Sequence, residues 1–178
     1  MTTLLPSFSG ITQPGDHLTD HESIADTIHR LVESADSRDA AMFESCVYDY
    51  TEWDVSGLTF LKKDYGVLRG IQEMLHWQMT GPGPLFTTHM VNNVRSHMAI
   101  LEDGTKTATC TAYVLAQHLP QDTPHSRVLS WDRDLFLVAN RFTGELKWDG
   151  ERWRFTRFAL RTMWSVGDDS FIVAGRPK

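Results

Sequence analysis

An α+β domain is the fold class this sequence predicts: a curved antiparallel sheet forming a cone, closed by about three N-terminal helices. Three observations carry it. Apolar residues recur at helical spacing up to Gly81-Pro82-Gly83-Pro84; beyond that point β-branched and aromatic residues dominate; and two Asp-Gly steps divide the second half into strand pairs. Helices first and strands afterwards define α+β rather than an alternating α/β order. A curved sheet closed by helices encloses an apolar interior, which is where a small-molecule site belongs.

Residues 1–18 mix Pro6, Pro14, Gly10 and Gly15 with Ser and Thr and read as an irregular arm. The domain proper then runs over 19–166. Thr19-Asp20-His21-Glu22 fits a capping box, and Ile24, Ile28, Leu31, Val32 and Ala35 form one helical stripe behind it. A break at Asp36-Ser37 leads to a second helix near 38–48, Thr51 to Val55 reads as a short strand, and a third helix occupies about 67–79. Strands follow over 87–101 and 105–118, joined at Asp103-Gly104, and over 135–148 and 152–162, joined at Asp149-Gly150. The stretch 119–134, with Pro120 and Pro124, reads as a long loop and a candidate lid, and 167–178 as a tail.

Composition narrows the function classes. Of 178 residues 41% are hydrophobic and 11% aromatic, enough for a core, and the net charge of −6 argues against a broad grip on nucleic-acid phosphates. No apolar run reaches the roughly 20 residues of a membrane helix, and the N-terminus lacks the basic and apolar regions of a signal peptide. Cys46 and Cys110 read as two buried thiols in a reducing compartment, which places the protein in the cytoplasm. A Gly-rich phosphate loop, a Gly-x-Ser-x-Gly elbow and a Cys-x-x-Cys pair are all missing, and the histidines lack a third partner at metal-ligand spacing.

The first hairpin carries the chemistry. If Asp103-Gly104 is a two-residue turn, His89 lies directly opposite His118, with Cβ atoms roughly 5 Å apart. The same face then carries Val91, Asn93, Ala112, Val114 and Ala116, and the other Met90, Val94, Met98, Tyr113 and Leu115, which reads as packing. Two imidazoles on one small, apolar surface suit general acid–base work near neutral pH. Asp36, at the helix break, is either a helix-end carboxylate or one that turns inward to orient a histidine. Asn93 and Arg141 are candidate substrate contacts, Arg141 through an anionic or carbonyl oxygen. Trp53 is a candidate pocket wall that also contacts substrate, and Trp164 reads as core or pocket wall.

Thr87-Thr88-His89-Met90-Val91-Asn92-Asn93, Ala112 to His118, Trp148-Asp149-Gly150-Glu151-Arg152-Trp153-Arg154-Phe155 and Asp54-Val55-Ser56-Gly57 together resemble the SnoaL-like domains of the nuclear-transport-factor-like cone fold. The resemblance spans about residues 20–166 and looks nearest to scytalone dehydratase-like and fungal meroterpenoid isomerase-like enzymes. It implies a cofactor-free enzyme with a deep pocket, a homodimer, and His89, His118 and Asp36 in the places of the dehydratase's two histidines and aspartate. The two tyrosines of that dehydratase fall on Ala35 and Val55, and its serine and asparagine near Ala139 and Arg141. Those departures argue against a melanin-pathway dehydratase. What remains is isomerisation, cyclisation or elimination on a polyketide- or terpenoid-like molecule, with an Asp36–His118 pair removing a proton and His89 holding the oxyanion. Because the family also hosts non-enzymes, a ligand-binding or assembly module and an oxygenase small subunit are the rival expectations.

Overall fold

The structure, a computed structural model, describes residues 18–62, 65–81, 85–120, 129–130, 132, 134–170 and 172. The irregular arm, most of the candidate lid and most of the tail lie outside the described residues.

Helix α1 spans Asp20–Ser37 and begins at the predicted capping box: Thr19 accepts from the Glu22 amide while Glu22 Oε2 accepts from the Thr19 amide at 2.7 Å. Its stripe buries Ile24, Ile28 and Leu31, and the helix stops where Arg38 takes a left-handed conformation, φ 58°. Asp39 caps the short α2, Ala40–Cys46, through the Met42 amide. Strand β1 (Val47–Asp54) is followed by a 3-10 turn at Thr59–Leu61 and by β2 (Val67–Arg69), a strand at the start of the predicted third helix. Helix α3 occupies Ile71–Thr80. The long strands are β3 (Leu85–Ile100), β4 (Lys106–Pro120), β5 (Phe136–Trp148) and β6 (Trp153–Gly167).

The six strands form one sheet in the order β2-β1-β6-β5-β4-β3. It is not wholly antiparallel, because β1 runs parallel to β6. The chain enters the sheet after α2 and crosses over α3, β3, β4 and β5 before β6 lies down beside β1, and that long crossover is what a parallel neighbour requires. The helices cover the concave side. The outer side leaves Met90, Tyr113, Met163, Trp164 and Val166 exposed, so Trp164, half exposed at 50%, walls no pocket.

Register differs from the expected one at two places. The first turn holds three residues: Gly104 N donates to Leu101 O, Leu101 N donates to Thr105 O, and Gly104 sits at φ 81°. A bulge between Asn92 and Arg95 then adds one residue to β3, with Asn93 at φ 53°. Each change moves β3 by one position against β4 and so exchanges its faces. Val94, in the bulge, and Met98, between turn and bulge, therefore share the inner face and pack against the core, where the expected register put them on the face opposite the histidines. Beyond the bulge the faces return to those expected, and His89, Val91, Val114 and Ala116 line the interior. Asn93 itself, at the bulge, is exposed and does not face the pocket.

Two bulges in β6 interrupt its pairing with β5, one between Ala139 and Asn140 and one between Glu145 and Leu146 of the facing strand. At one of them Gly144 lets β6 close in: a Cβ there would lie 2.5 Å from Phe155 Cε1 and 3.0 Å from Cys110 Sγ. The Phe155 ring cannot give way, since it is fully buried between Phe142 and Phe158. Gly144→Ala is expected to destabilise the fold by about 1–3 kcal/mol through overpacking, read as a lower denaturation midpoint in urea.

Candidate active site

Asp36 occupies the last turn of α1, where the helix C-terminus disfavours a negative charge. Strand β3 supplies the compensation. Thr87 Oγ1 donates to Asp36 Oδ1 at 2.7 Å, the His89 amide donates to Oδ2 at 2.8 Å, and His89 Nδ1 donates to Oδ1 at 2.6 Å. Burial alone would raise the carboxyl. The His89 hydrogen bond and charge, with the Thr87 hydroxyl and the His89 amide, outweigh burial and hold Asp36 below the usual carboxylate range. The aspartate thus turns inward, and its partner is His89, not the His118 of the expected pair.

Because the two register changes move β3 by two residues in all, His118 lies opposite Thr87, and His89 opposite Ala116. The two histidines are diagonal neighbours on one face. Their ring centroids are 5.8 Å apart at 85°, edge to face. His118, 6% exposed, also packs on Phe136 at 5.9 Å. With Nδ1 engaged by the carboxylate, Nε2 is the His89 nitrogen left to act on a ligand.

Both rings line a cavity of about 90 Å³ between the helices and the concave sheet. Its walls are mostly apolar: Leu31, Val32 and Ala35 from α1, Phe43 from α2, and Val114, Val138, Phe142 and Phe158 from the sheet. Trp53 of β1 lines it too, 7% exposed, stacked on Phe158 at 5.2 Å and edge-on to Trp77 at 4.8 Å. Gln78 and Asn140 add polar atoms, at 3% and 4% exposure.

Arg141 is not among the lining residues. It points to the outer side of β5, its guanidinium 4.8 Å from the centre of the Tyr113 ring. Strand alternation puts its neighbour Asn140 inside instead. Asn140, Gln78 and Trp77 are lining residues that the sequence analysis missed. Gln78 was visible as the polar residue four positions after Met74, on the buried side of α3. Neither cysteine is poised as a nucleophile: burial pushes the Cys46 thiol up to about 11 and the Cys110 thiol up to about 12.

A family profile for the SnoaL-like domain matches residues 16–159. The chain belongs to the SnoaL-like family. No curated protein matches the sequence. Among solved structures, the Kfla4162 protein from Kribbella flavida is 17% identical, with 87% of this chain and 97% of that one covered and a TM-score of 0.66. The hexachlorocyclohexane dehydrochlorinase LinA-type3 from Novosphingobium barchaimii is 17% identical, with 80% and 86% covered and a TM-score of 0.60. A candidate scytalone dehydratase from Novosphingobium aromaticivorans is 14% identical, with 80% and 83% covered and a TM-score of 0.57. At such identities the likeness establishes the shared cone fold. Among the described residues no helix is long and apolar enough to cross a membrane.

The lowered Asp36 carboxyl ties stability to pH with a definite sign. A carboxyl whose folded pKa lies below its unfolded value stabilises the fold above about pH 4, and that contribution is lost as pH falls through the folded pKa. Asp36→Ala is expected to lower stability by about 1–3 kcal/mol at neutral pH by stranding the β3 donors. The gap in Tm from wild type is expected to narrow in acid, which thermal melts across pH check.

Proposed function

We propose that this SnoaL-like protein is an acid–base lyase or isomerase acting on a small, largely apolar molecule of the polyketide or terpenoid kind. The Asp36–His89 dyad, 2.6 Å from carboxylate to ring and facing His118 across an apolar cavity, is the observation that supports it. In the proposed reaction His89 Nε2 takes a proton from a carbon next to a carbonyl. Asp36 keeps the imidazole in the required tautomer and stabilises the imidazolium that forms. The electron pair left on carbon moves onto the carbonyl oxygen, and His118 donates a hydrogen bond to that oxyanion. Isomerisation follows when the proton returns to a different carbon. Elimination follows when that pair moves back to form the new carbon–carbon double bond and a β-substituent leaves with its own bonding pair, taking a proton from His118, while the proton taken up by His89 passes to solvent. Proton acceptor and donor both come from the chain itself. The family membership and the dehydrochlorinase and candidate dehydratase neighbours support this class of reaction.

The proton-transfer half is measurable without the natural substrate. Wild type is expected to accelerate exchange of the α-hydrogens of 1-tetralone into D2O, followed by proton NMR. His89→Ala is expected to reduce that acceleration by about 10²–10⁴-fold, and His118→Ala by a comparable factor. Arg141→Ala and Asn93→Ala, on the outer face and the bulge, are expected to leave it unchanged. Exchange that survives His89→Ala at the wild-type rate removes the dyad from the chemistry.

A further inference from the structure

Strand register defines a trough across the outer side of the sheet, on the face opposite the histidines. Thr111, Thr143, Ala159 and Asp54 stand opposite one another on β4, β5, β6 and β1 and form its floor. One rim is the outward row two residues along, Tyr113, Arg141 and Arg161. The other is Thr109, Glu145, Arg157 and Glu52. Outward rows lie about 7 Å apart along a strand, so small residues between two rows of long ones leave a depression. Two grooves lie there, of about 260 Å³ beside Asp54, Arg141 and Arg161 and about 340 Å³ beside Glu145 and Arg157. Thr143 and Ala159 line both.

The two rims differ in charge balance. Arg157 stands between Glu145 and Glu52, so opposite charges alternate along its rim. On the other rim Arg141 and Arg161 are direct cross-strand partners, and like charges in that position destabilise a sheet. Among the described residues neither of these two guanidiniums has a carboxylate within ion-pair distance. Asp54 relieves them only in part, because Ser56 Oγ donates to it at 2.6 Å and Arg157 lies 3.9 Å away. The Ser56 hydroxyl and amide, with the charges of Arg157 and Arg161, outweigh burial and hold Asp54 below the usual carboxylate range. The pair is thus a local positive excess on a chain whose net charge is −6.

Arg141 is also held in place. Its guanidinium lies 4.8 Å from the centre of the Tyr113 ring, and a guanidinium on a ring face keeps N–H groups free for a ligand.

We propose that this trough is a binding site for a small organic acid, whose carboxylate lies between Arg141 and Arg161 and whose carbon skeleton rests on Thr143 and Ala159. The planar fork of arginine matches the two oxygens of a carboxylate, and bonds between ionised partners are the stronger kind. Binding offsets the repulsion between the two arginines. A single negative charge fits better than the two of a phosphate monoester, because Asp54 and Glu145 bring carboxylates to the same trough. The site lies across the sheet from the cavity and makes no use of the dyad.

The test compares benzoate, benzamide and phenyl phosphate by amide chemical-shift titration. Benzoate is expected to shift the amides of Thr111, Thr143 and Ala159 and to bind at least about tenfold tighter than benzamide. Its affinity is expected to fall as sodium chloride is raised, and phenyl phosphate to bind no tighter than benzoate. Arg141→Gln and Arg161→Gln are each expected to weaken benzoate about tenfold, and together to remove its advantage over benzamide. Arg161→Gln is also expected to leave Tm of the free protein at or above the wild-type value, since it removes a repulsion. That result separates a binding role from a structural one.

Equal affinities for benzoate and benzamide, tighter binding of phenyl phosphate, or an advantage of benzoate that survives the double substitution overturns the proposal. So do shifts confined to the cavity residues His89, Val114 and His118. Light scattering supplies a further check: a dimer that Arg141→Glu with Arg161→Glu dissolves would make this face a contact between copies of the chain, and the proposal falls. None of these outcomes depends on the His89-dependent exchange.

Discussion

A single carboxylate fastens helix to sheet in this protein. Asp36 receives three hydrogen bonds from two residues of β3, one from a hydroxyl, one from a backbone amide and one from an imidazole. It does so from the last turn of an 18-residue helix whose far end is set by its own capping box. Helix α1 is therefore seated at both ends. The depth at which it lies across the concave sheet follows, and with it the wall made by Leu31, Val32 and Ala35. The unfavourable place of a negative charge at a helix C-terminus explains why so many donors converge there. The contact that orients the imidazole is also the contact that closes the cone.

The cavity above that contact is almost all hydrocarbon and aromatic ring, and that shapes its electrostatics. In such surroundings each hydrogen bond counts for more than in water, and each unpaired polar atom costs more. The histidines, Gln78 and Asn140 are thus the positions where the wall departs from apolar packing. Everything else in the wall selects for size and apolarity. The buried thiols show the opposite case: Cys46 and Cys110 are inside, yet their surroundings keep them protonated.

Much of the fold was legible in local patterns. The capping box at Thr19, the stripe from Ile24 to Leu31 and the glycine turns mark elements whose causes lie within a few residues of chain. The site was legible in a narrower sense. A two-residue turn was expected to place His89 opposite His118, but the turn has three residues and Asn93 is bulged. Two slips of one residue restore the shared face while changing the pairing from opposite to diagonal. The same sensitivity undid the placement of Asn93: one residue's displacement moves a side chain to the other face of a strand. Asn140 is inside because Arg141 is outside.

Read by itself, then, the sequence determined the fold class, the order and approximate limits of most elements, and three residues suited to proton transfer. Capping, periodicity and turn chemistry act over short stretches, and their outcome hardly depends on the rest of the chain. Tertiary structure alone decided which histidine the aspartate holds, that β1 lies parallel to β6, and which side chains line the cavity. Those outcomes turn on how α1 and α3 seat against a bent sheet and on bulges of one residue. They are set by packing between segments far apart in the chain, which no local pattern encodes.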